Sequence, residues 1–389
     1  MRHQGFIAGN KVRLVRGGKP YFDLLLTMID EAKEVVHLQT YIYDEDETGI
    51  MVAEALARAV QRGVKVFLIA DGYASKNLSK EFIETLEKSG IQFRYFEPVF
   101  RSSKFYFGRR LHHKVVVTDR SRAMVAGINI SNRYNDMPDK PAWLDFAVFA
   151  EGNIPEQLQV LCEKTWNGYR QLHPFAEKLS PFYPILPKDS ADCLVRMRRN
   201  DWVRRKNQIS TSYLSMFRNA KKEIILLGSY FLPGRNIRKA LADAAARGVR
   251  IRVVVAGPSD IMMAKHAERY MYGWMLEKGI EIYEYQHNVL HGKIAVCDVS
   301  LTTIGSYNIN NISAYASIEL NLDIQHTGFA LHTKNVLEEI ITHQCKQVSY
   351  EDFVKDIGLL ARFQHWAAYT LFHIVFFLFT FYFKQTDLR

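Results

Sequence analysis

The chain has 389 residues, 48% of them hydrophobic and 24% charged, which is the composition of an ordinary globular protein long enough for two domains. Its 51 lysines and arginines outnumber 41 aspartates and glutamates, and the net charge of +10 suggests an anionic partner: nucleic acid, an anionic membrane or a phosphorylated substrate. A solvated basic surface would explain the charge equally well. Four widely spaced cysteines without a CxxC pair argue against a zinc site and a disulfide framework. With no signal peptide evident, we expect a reduced, cytosol-facing protein.

In chain order, the predicted elements of the first half return in the second. A helix end runs into a buried strand at 32–41 and again at 221–230, and an amphipathic helix follows each strand. Both amphipathic helices end at Arg-Gly, where the glycine suits a left-handed C-cap. The strands that follow, at 66–70 and 251–256, are apolar throughout, which is typical of parallel strands covered on both faces. A further helix and strand extend the repeat in each half.

The next strand of each half carries a histidine and a lysine two residues apart, followed by an aspartate. The two copies share the spacing His-x-Lys-x4-Asp, begin 179 residues apart and comprise His112, Lys114, Asp119, His291, Lys293 and Asp298. Because side chains alternate across a strand, the histidine and lysine of each copy project to the same side. A tight turn and a return strand follow each aspartate, so the unit is βαβα with a terminal hairpin. It predicts a mixed α/β sheet with helices on both sides.

One such strand would be typical of a solvated polar face, whereas two copies in equivalent places indicate a shared site. A neutral imidazole can attack an electrophile, and a protonated imidazole can give a proton to a leaving group. With an unperturbed pKa near ~6.5, two histidines in one pocket can share these roles near neutral pH. The lysines suit the stabilisation of negative charge on phosphate oxygens, so the pattern predicts chemistry at a phosphoryl group rather than at an acyl carbon.

These motifs resemble the signature of the phospholipase D superfamily, His-x-Lys-x4-Asp-x6-Gly-Ser/Gly-x-Asn, and the chain is identified as a member over residues 10–355. The second copy continues into Gly305-Ser306-Tyr307-Asn308, which matches fully. The first continues into Ala126-Gly127-Ile128-Asn129, where alanine and glycine depart from the signature and remove a hydroxyl but leave Asn129 in place.

The resemblance implies two homologous phospholipase D-like α-β-α sandwich domains with mixed, largely parallel sheets, related by a pseudo-twofold axis that brings both motifs into one site. One histidine would form a phosphohistidine, and the other would protonate the departing alcohol and later deprotonate the incoming one. Analogy with bacterial members favours His112 as the nucleophile. No metal or other cofactor is expected, because lysines and asparagines take the role of a cation.

Further site residues follow from the same resemblance. It implies phosphate binding by Asn129, Ser306 and Asn308, and orientation of the histidines by Asp145, which follows the first motif, and Glu319, which follows the second. Edge-strand acids without a catalytic role are the alternative for that carboxylate pair. The motif residues Asp119 and Asp298 are expected either to belong to the catalytic set or to hold the turn of the hairpin, since aspartate is a favoured turn residue.

The finer resemblance is to bacterial cardiolipin synthases of the shorter type, based on residues 69–73, 112–119 and 127–131. It implies transfer of a phosphatidyl group from one phospholipid onto the terminal hydroxyl of phosphatidylglycerol. A phospholipase D that hydrolyses phospholipids and a superfamily nuclease or phosphodiesterase are the alternatives. We expect anionic phospholipids and a membrane surface as partners, no nucleic acid, and a location at the bacterial inner membrane with the catalytic domains facing the cytoplasm. The oligomeric state is left open.

Two segments are consistent with a lipid substrate. Residues 101–110 interleave four basic and three aromatic side chains, a pattern that suits an anionic interface or a nucleic-acid backbone. Residues 366–383 carry no formal charge and as a helix would span roughly 27 Å at ~1.5 Å per residue, near the ~30 Å of a hydrocarbon core. This tail is expected to span or half-insert into the membrane, lie on it, or form a core or dimer helix, with membrane attachment favoured. The expected domains are 1–186, 187–355 and the apolar tail 356–389, divided by the proline-rich stretch 174–192.

Overall fold

A computed structural model describes residues 5–97, 109–168, 192–310, 313–314, 317–351, 353 and 358–386. In the last helix, side chains are described up to residue 374, apart from 359 and 373. The basic-aromatic segment up to residue 108 and the proline-rich stretch up to residue 191 lie outside the described residues. The predicted domain boundary at 186/187 therefore stays a prediction.

The first half contains eight strands and four helices among its described residues. In chain order they are β1 (Ile7–Arg16), α1 (Lys19–Asp30), β2 (Val35–Thr40), α2 (Glu47–Gln61), β3 (Lys65–Asp71), α3 (Lys80–Lys88), β4 (Gln92–Phe96), β5 (Arg110–Leu111), β6 (Lys114–Thr118), β7 (Arg122–Ala126), β8 (Phe146–Gly152) and α4 (Ile154–Trp166).

The second half follows a similar order, with a short extra strand before its first helix, two helices in place of α3, and additions at its end. Its described elements are β9 (Cys193–Asp201), β10 (Lys206–Asn207), α5 (Gln208–Asn219), β11 (Glu223–Gly228), α6 (Arg235–Ala246), β12 (Arg250–Ala256), α7 (Met262–Tyr270), α8 (Tyr272–Glu277), β13 (Glu281–Tyr285), β14 (Lys293–Cys297), β15 (Leu301–Gly305), β16 (Ser317–Gln325), α9 (Thr327–Gln344), β17 (Cys345–Val348) and α10 (Leu359–Thr386).

One ladder of strands runs through both halves. Its order is β4-β3-β2-β6-β7-β8-β1-β9-β16-β15-β14-β11-β12-β13-β17, and the halves join where β1 pairs with β9. The mixed sheet predicted from the repeat is confirmed. The expectation of largely parallel sheets is wrong, because only β2-β3-β4 and β11-β12-β13 run parallel. The hairpin that carries each motif and the strand after it add antiparallel pairings, and these outnumber the parallel ones.

Helices cover both faces of the sheet, and among the described residues three large apolar cores form beside one small cluster around Leu111 and Ile318. The largest core is shared by the two halves and lies under α4 and α9. The second lies under α1–α3 and the third under α5–α8, on the outer face of each half. Because the two halves share this core, the fold fixes their relative placement. The site between the halves depends on that placement.

The two predicted helix ends form as expected. Gly63 follows α2 with a φ of 87°, and Gly248 follows α6 with a φ of 83°. This left-handed conformation is open to glycine without strain from a Cβ atom, which is why an Arg-Gly pair ends both helices.

Helix α10 contains the apolar tail and lies alongside α7. The rings of His266 and His365 are 5.3 Å apart, and those of Tyr270 and Tyr369 are 4.5 Å apart. Phe372 also packs on the third core. Across the residues that the structure describes, no helix is long and apolar enough to cross a membrane. Attachment of the tail to a membrane stays a prediction.

Candidate active site

The segment before each motif histidine pairs with the opposite half. β5 pairs in parallel with the start of β16, and the backbone N–H of His112 donates to the carbonyl oxygen of Ile318 at 3.0 Å. At the equivalent place, Leu144 forms a parallel bridge with Leu290, and its carbonyl oxygen accepts from the N–H of His291 at 2.8 Å. The backbone of each motif histidine is therefore held by the opposite half of the chain.

The orienting carboxylates also cross between the halves. Nδ1 of His112 lies 2.9 Å from Oε2 of Glu319, and Nδ1 of His291 lies 2.6 Å from Oδ2 of Asp145. The sequence associated each carboxylate with the histidine of its own half, and the structure pairs each with the other. Because a carboxylate accepts, Nδ1 is assigned as the N–H donor, which leaves the lone pair of Nε2 for chemistry.

The surroundings of both imidazoles favour the neutral form. Burial lowers the pKa of each below the ordinary value of a histidine, and that of His291 falls to about 3. The facing carboxylates oppose this shift, while Lys114 and Lys293 add to it. The charge of each lysine reaches the histidine of the other half, so the two motifs form one site. A neutral imidazole is the form that attacks phosphorus.

Lys114 and Lys293 are almost completely buried. Nζ of Lys114 donates to the carbonyl oxygen of His112 at 2.5 Å, and Nζ of Lys293 donates to that of His291. Burial lowers the pKa of Lys114 to about 7 and that of Lys293 to about 8, although nearby carboxylates oppose the shift. A phosphate bound between the two ammonium groups would return them to full protonation, because an anion favours the charged form.

The two motif asparagines have their side-chain oxygens fixed. Oδ1 of Asn129 accepts from the N–H of Ile42 at 3.1 Å, and Oδ1 of Asn308 accepts from the hydroxyl of Ser229 at 3.0 Å. Nδ2 of Asn129 is buried and has no hydrogen-bond partner among the described residues. The fixed oxygens leave the Nδ2 groups as the atoms that would donate to a ligand, and phosphate binding by Asn129 and Asn308 stays a prediction.

Ser306 contacts the carboxylate that faces His112. Its hydroxyl donates to Oε2 of Glu319 at 2.5 Å and accepts from the N–H of Leu320 at 3.1 Å. Its hydroxyl thus helps to hold Glu319 in place, and the expected contact with phosphate stays a prediction.

Asp119 and Asp298 hold the backbone at the ends of their strands, although they are part of the motif. Each lies at the far end of its strand from the lysine, and its carboxylate accepts from three backbone N–H groups at the start of β2 or β11. The donors are Lys33, Glu34, Val35, Lys221, Lys222 and Glu223, at 2.7–3.0 Å. Of the two expectations for these aspartates, the structure supports the one in which they hold the hairpin turn, where both have positive φ.

Gly127 stands where the second half has Ser306, and the close approach of a carboxylate explains why it has no side chain. A Cβ atom on Gly127 would lie 2.3 Å from Oδ1 of Asp145. In the second half the longer Glu319 leaves space for Ser306 at the equivalent position. Each half thus places a carboxylate against the histidine of the other half, with an aspartate in the first half and a glutamate in the second.

Three aromatic side chains that the motifs do not predict line the site. Tyr41 lies edge-on to His112, with ring centroids 4.8 Å apart, and its ring is 5.2 Å from Nζ of Lys114. Tyr134 and Trp143 lie 5.2 Å and 6.1 Å from the ring of His291. Nothing in their spacing points to the motifs, since all three precede or follow them by many residues.

A buried aspartate was also missed. Oδ2 of Asp71 accepts from the N–H of Leu111 at 2.8 Å, and Oδ1 lies 3.6 Å from the guanidinium of Arg110. Asp71 therefore fixes the residue that directly precedes His112. Its position after an apolar strand is the signal that the sequence offered.

Comparison with known proteins places these features among relatives. The family described as "Cardiolipin synthase, PLD-like domain" matches residues 25–139 and 213–341, one stretch in each half. Cardiolipin synthase B of Escherichia coli (strain K12) is 33% identical over 353 residues, which cover 87% of this chain and 82% of the relative. Cardiolipin synthase 1 of Bacillus anthracis is 28% identical over 321 residues, which cover 80% of this chain and 62% of the relative.

Solved structures show the same fold at low identity. The phosphatidylserine synthase of Haemophilus influenzae superposes with a TM-score of 0.71 at 13% identity and covers 89% of this chain and 90% of its own. The polyphosphate kinase of Porphyromonas gingivalis gives 0.61 at 16% identity, over 88% of this chain and 49% of its own. At these identities the likeness concerns the fold alone.

Proposed function

We propose, from the premise that the chain belongs to the cardiolipin synthase family of PLD-like proteins, that it transfers a phosphatidyl group from one phospholipid to another through a phosphohistidine. The family makes the chain a phosphatidyltransferase, and phosphatidylglycerol is the acceptor that we propose. One observation carries the mechanism: each motif histidine donates from Nδ1 to a carboxylate of the opposite half. Both Nε2 atoms are thereby available in a single site.

The first step forms a covalent intermediate. Nε2 of His112 attacks the phosphorus of the donor lipid, the bond from phosphorus to the headgroup oxygen breaks, and a proton from Nε2 of His291 passes to that oxygen. For a phosphatidylglycerol donor the leaving group is glycerol. Binding of the anionic phosphodiester raises the pKa of His291, which supplies the protonated form that this step requires.

The second step is the reverse with a new alcohol. Neutral His291 takes the proton from the terminal hydroxyl of phosphatidylglycerol, whose oxygen attacks phosphorus as the bond to His112 breaks. The product is cardiolipin, and His291 is protonated again. Glu319 supports His112 while it carries the phosphatidyl group, since a facing carboxylate stabilises an imidazole whose positive charge increases.

The lysines and asparagines act on the phosphate oxygens. Lys114 and Lys293 supply positive charge in a buried site, where it is worth more than in water. The amide groups of Asn129 and Asn308 add donors whose partner oxygens are already fixed. These groups take the charge-stabilising role that other phosphoryl-transfer enzymes give to a metal ion.

The proposed location follows from the substrate. Phospholipids reside in a bilayer, and the relatives are bacterial cardiolipin synthases. We propose a site at the inner membrane with the catalytic halves on its cytoplasmic side. The uncharged run 366–383 supports membrane association.

Product analysis tests the proposed function. Purified protein is incubated with phosphatidylglycerol vesicles, and lipids and water-soluble products are resolved by chromatography. We expect cardiolipin and glycerol in equal amounts. Phosphatidic acid as the main lipid product would show that water is the acceptor. No turnover together with DNA cleavage would support the nuclease alternative.

A further inference from the structure

The loop between β12 and α7 lies at the rim of the active site. The hydroxyl of Tyr230 donates to Oδ1 of Asp260 at 2.5 Å. Tyr230 directly follows Ser229, whose hydroxyl donates to Oδ1 of the motif residue Asn308 at 3.0 Å. The side-chain amide of Asn310 donates to the carbonyl oxygen of Tyr230 at 3.4 Å. Residues that follow Asp260 therefore begin at the mouth of the site.

An exposed apolar cluster starts at the next residue. Ile261, Met262 and Met263 are 46%, 61% and 44% exposed. These three side chains lie at the start of α7, directly after Asp260. Large apolar side chains are rarely exposed to water together, so we expect a binding partner to cover this cluster.

Helix α10 extends the same cluster. The ring pairs His266–His365 and Tyr270–Tyr369 share an offset of 99 residues, so α7 and α10 run parallel. Extending that register back by one turn places Met262 beside the turn of α10 that carries Leu360 and Phe363. Leu360, Phe363 and Trp366 are 72%, 61% and 48% exposed, and the last two rings are 5.7 Å apart.

We propose that Ile261, Met262, Met263, Leu360, Phe363 and Trp366 form one docking surface that seats the mouth of the active site on a bilayer of anionic phospholipid. The surface deepens the proposed function and rests on it, because it names the partner that brings substrate to the site. The side chains enter the interface between headgroups and acyl chains. The exposed Arg362 on α10 lies between Leu360 and Phe363, and with the net charge of +10 it favours anionic headgroups.

Two observations favour a bilayer over a second copy of the chain. Along α10, the cluster is followed by the uncharged run 366–383. This run is longer than a small contact between two copies of the chain would need. The cluster also borders the mouth next to Asp260, so a second copy seated there would block the route by which lipids enter. A bilayer at that place delivers them.

Paired variants test the surface. One replaces Ile261, Met262 and Met263 by serine, and the other carries Phe363→Ser and Trp366→Ser. Leu331→Ser is the matched control, since Leu331 is 46% exposed on α9, which lies on the opposite face of the second half. Binding is measured by sedimentation with vesicles of phosphatidylglycerol and phosphatidylcholine. Transfer is measured on those vesicles and on short-chain phosphatidylglycerol below its micelle concentration. Analytical ultracentrifugation reports the oligomeric state.

We expect the affinity of each variant for vesicles to fall about tenfold or more, since each variant presents two or three fewer large apolar side chains to the interface. Transfer on vesicles falls with binding, while transfer on dissolved short-chain lipid matches the wild type. Unchanged vesicle binding in both variants would overturn the proposal. So would an equal loss on both substrates, or a change from dimer to monomer. If the wild type binds vesicles but transfers neither substrate, the proposed function fails and the docking surface stands.

Discussion

The carboxylate of Asp145 in the first half lies 2.6 Å from Nδ1 of His291 in the second half. The reciprocal pair, Glu319 and His112, is 2.9 Å apart. Each half thus supplies one histidine and the carboxylate for the other. Neither half alone contains a complete histidine–carboxylate pair, so the site exists only when the shared core holds the halves together.

Asp145→Asn tests the crossed pairing. The amide presents a donor to Nδ1, which favours the wrong imidazole tautomer and removes the charge that supports protonated His291. We expect kcat to fall about 100-fold or more with the thermal midpoint little changed. Asp139→Asn, at an exposed position six residues earlier, is the control and should leave activity unchanged. Retention of most activity by Asp145→Asn would contradict a role for this carboxylate.

The lysines predict an alkaline limit to activity. The pKa of Lys114 is lowered to about 7 and that of Lys293 to about 8, and the protonated form binds phosphate. As pH rises through 7 to 9 the free site loses these charges, so kcat/KM should fall. The bound phosphodiester raises both pKa values, so kcat should fall only at higher pH. Initial rates between pH 6 and 10 on dissolved short-chain lipid measure both. A kcat/KM that is constant up to pH 9.5 would rule this account out.

The motif aspartates are expected to affect stability and not chemistry. Asp119→Ala removes a carboxylate that accepts from three backbone N–H groups at the start of β2. We expect a loss of about 1–3 kcal/mol in the free energy of unfolding, with kcat per folded molecule retained. Urea unfolding followed by circular dichroism, with active-site titration, separates the two effects. A large fall in kcat at unchanged stability would return Asp119 to the catalytic set.

Transfer should not depend on a divalent metal. The positive charge at the phosphate comes from Lys114 and Lys293, which are buried in the site. Incubation with EDTA followed by gel filtration should therefore leave transfer on dissolved lipid within about twofold of the untreated rate. Dissolved lipid is the substrate of choice here, because metals also alter vesicle surfaces. Strong inhibition that added Mg²⁺ or Ca²⁺ restores would contradict the two-lysine account.

Local patterns predicted much of the fold and the motifs. Arg-Gly pairs predicted both helix ends, and such features depend on neighbours in sequence. The predicted motif strand begins at Lys114 in the structure, so His112 lies just before it and the period of the strand does not set the direction of its side chain. The family resemblance also implied which carboxylates would serve the histidines, but it could not show that Asp145 serves His291. That pairing depends on the bridge between Leu144 and Leu290, in the segments that precede β8 and β14.

Other features depend on a contact with a further residue, which the spacing of a motif does not reveal. Ser306 matches the signature, yet its hydroxyl is used by Glu319, thirteen residues away. Asp119 shares a motif with Lys114 but lies at the other end of the strand, where it meets the start of β2. Tyr41 and Tyr134 enter the site from loops whose paths are set by packing.

The most direct test follows the covalent step in single-histidine variants. A short-chain phosphatidyl ester of p-nitrophenol carries a leaving group that needs no general acid, so His291→Ala should release one equivalent of p-nitrophenolate and then stop. Mass spectrometry of the quenched protein should locate the phosphatidyl group on His112, and His112→Ala should show no burst. An adduct on His291 in His112→Ala would reverse the assigned roles. Turnover by the wild type, with no adduct and no burst in either variant, would contradict the shared two-histidine site.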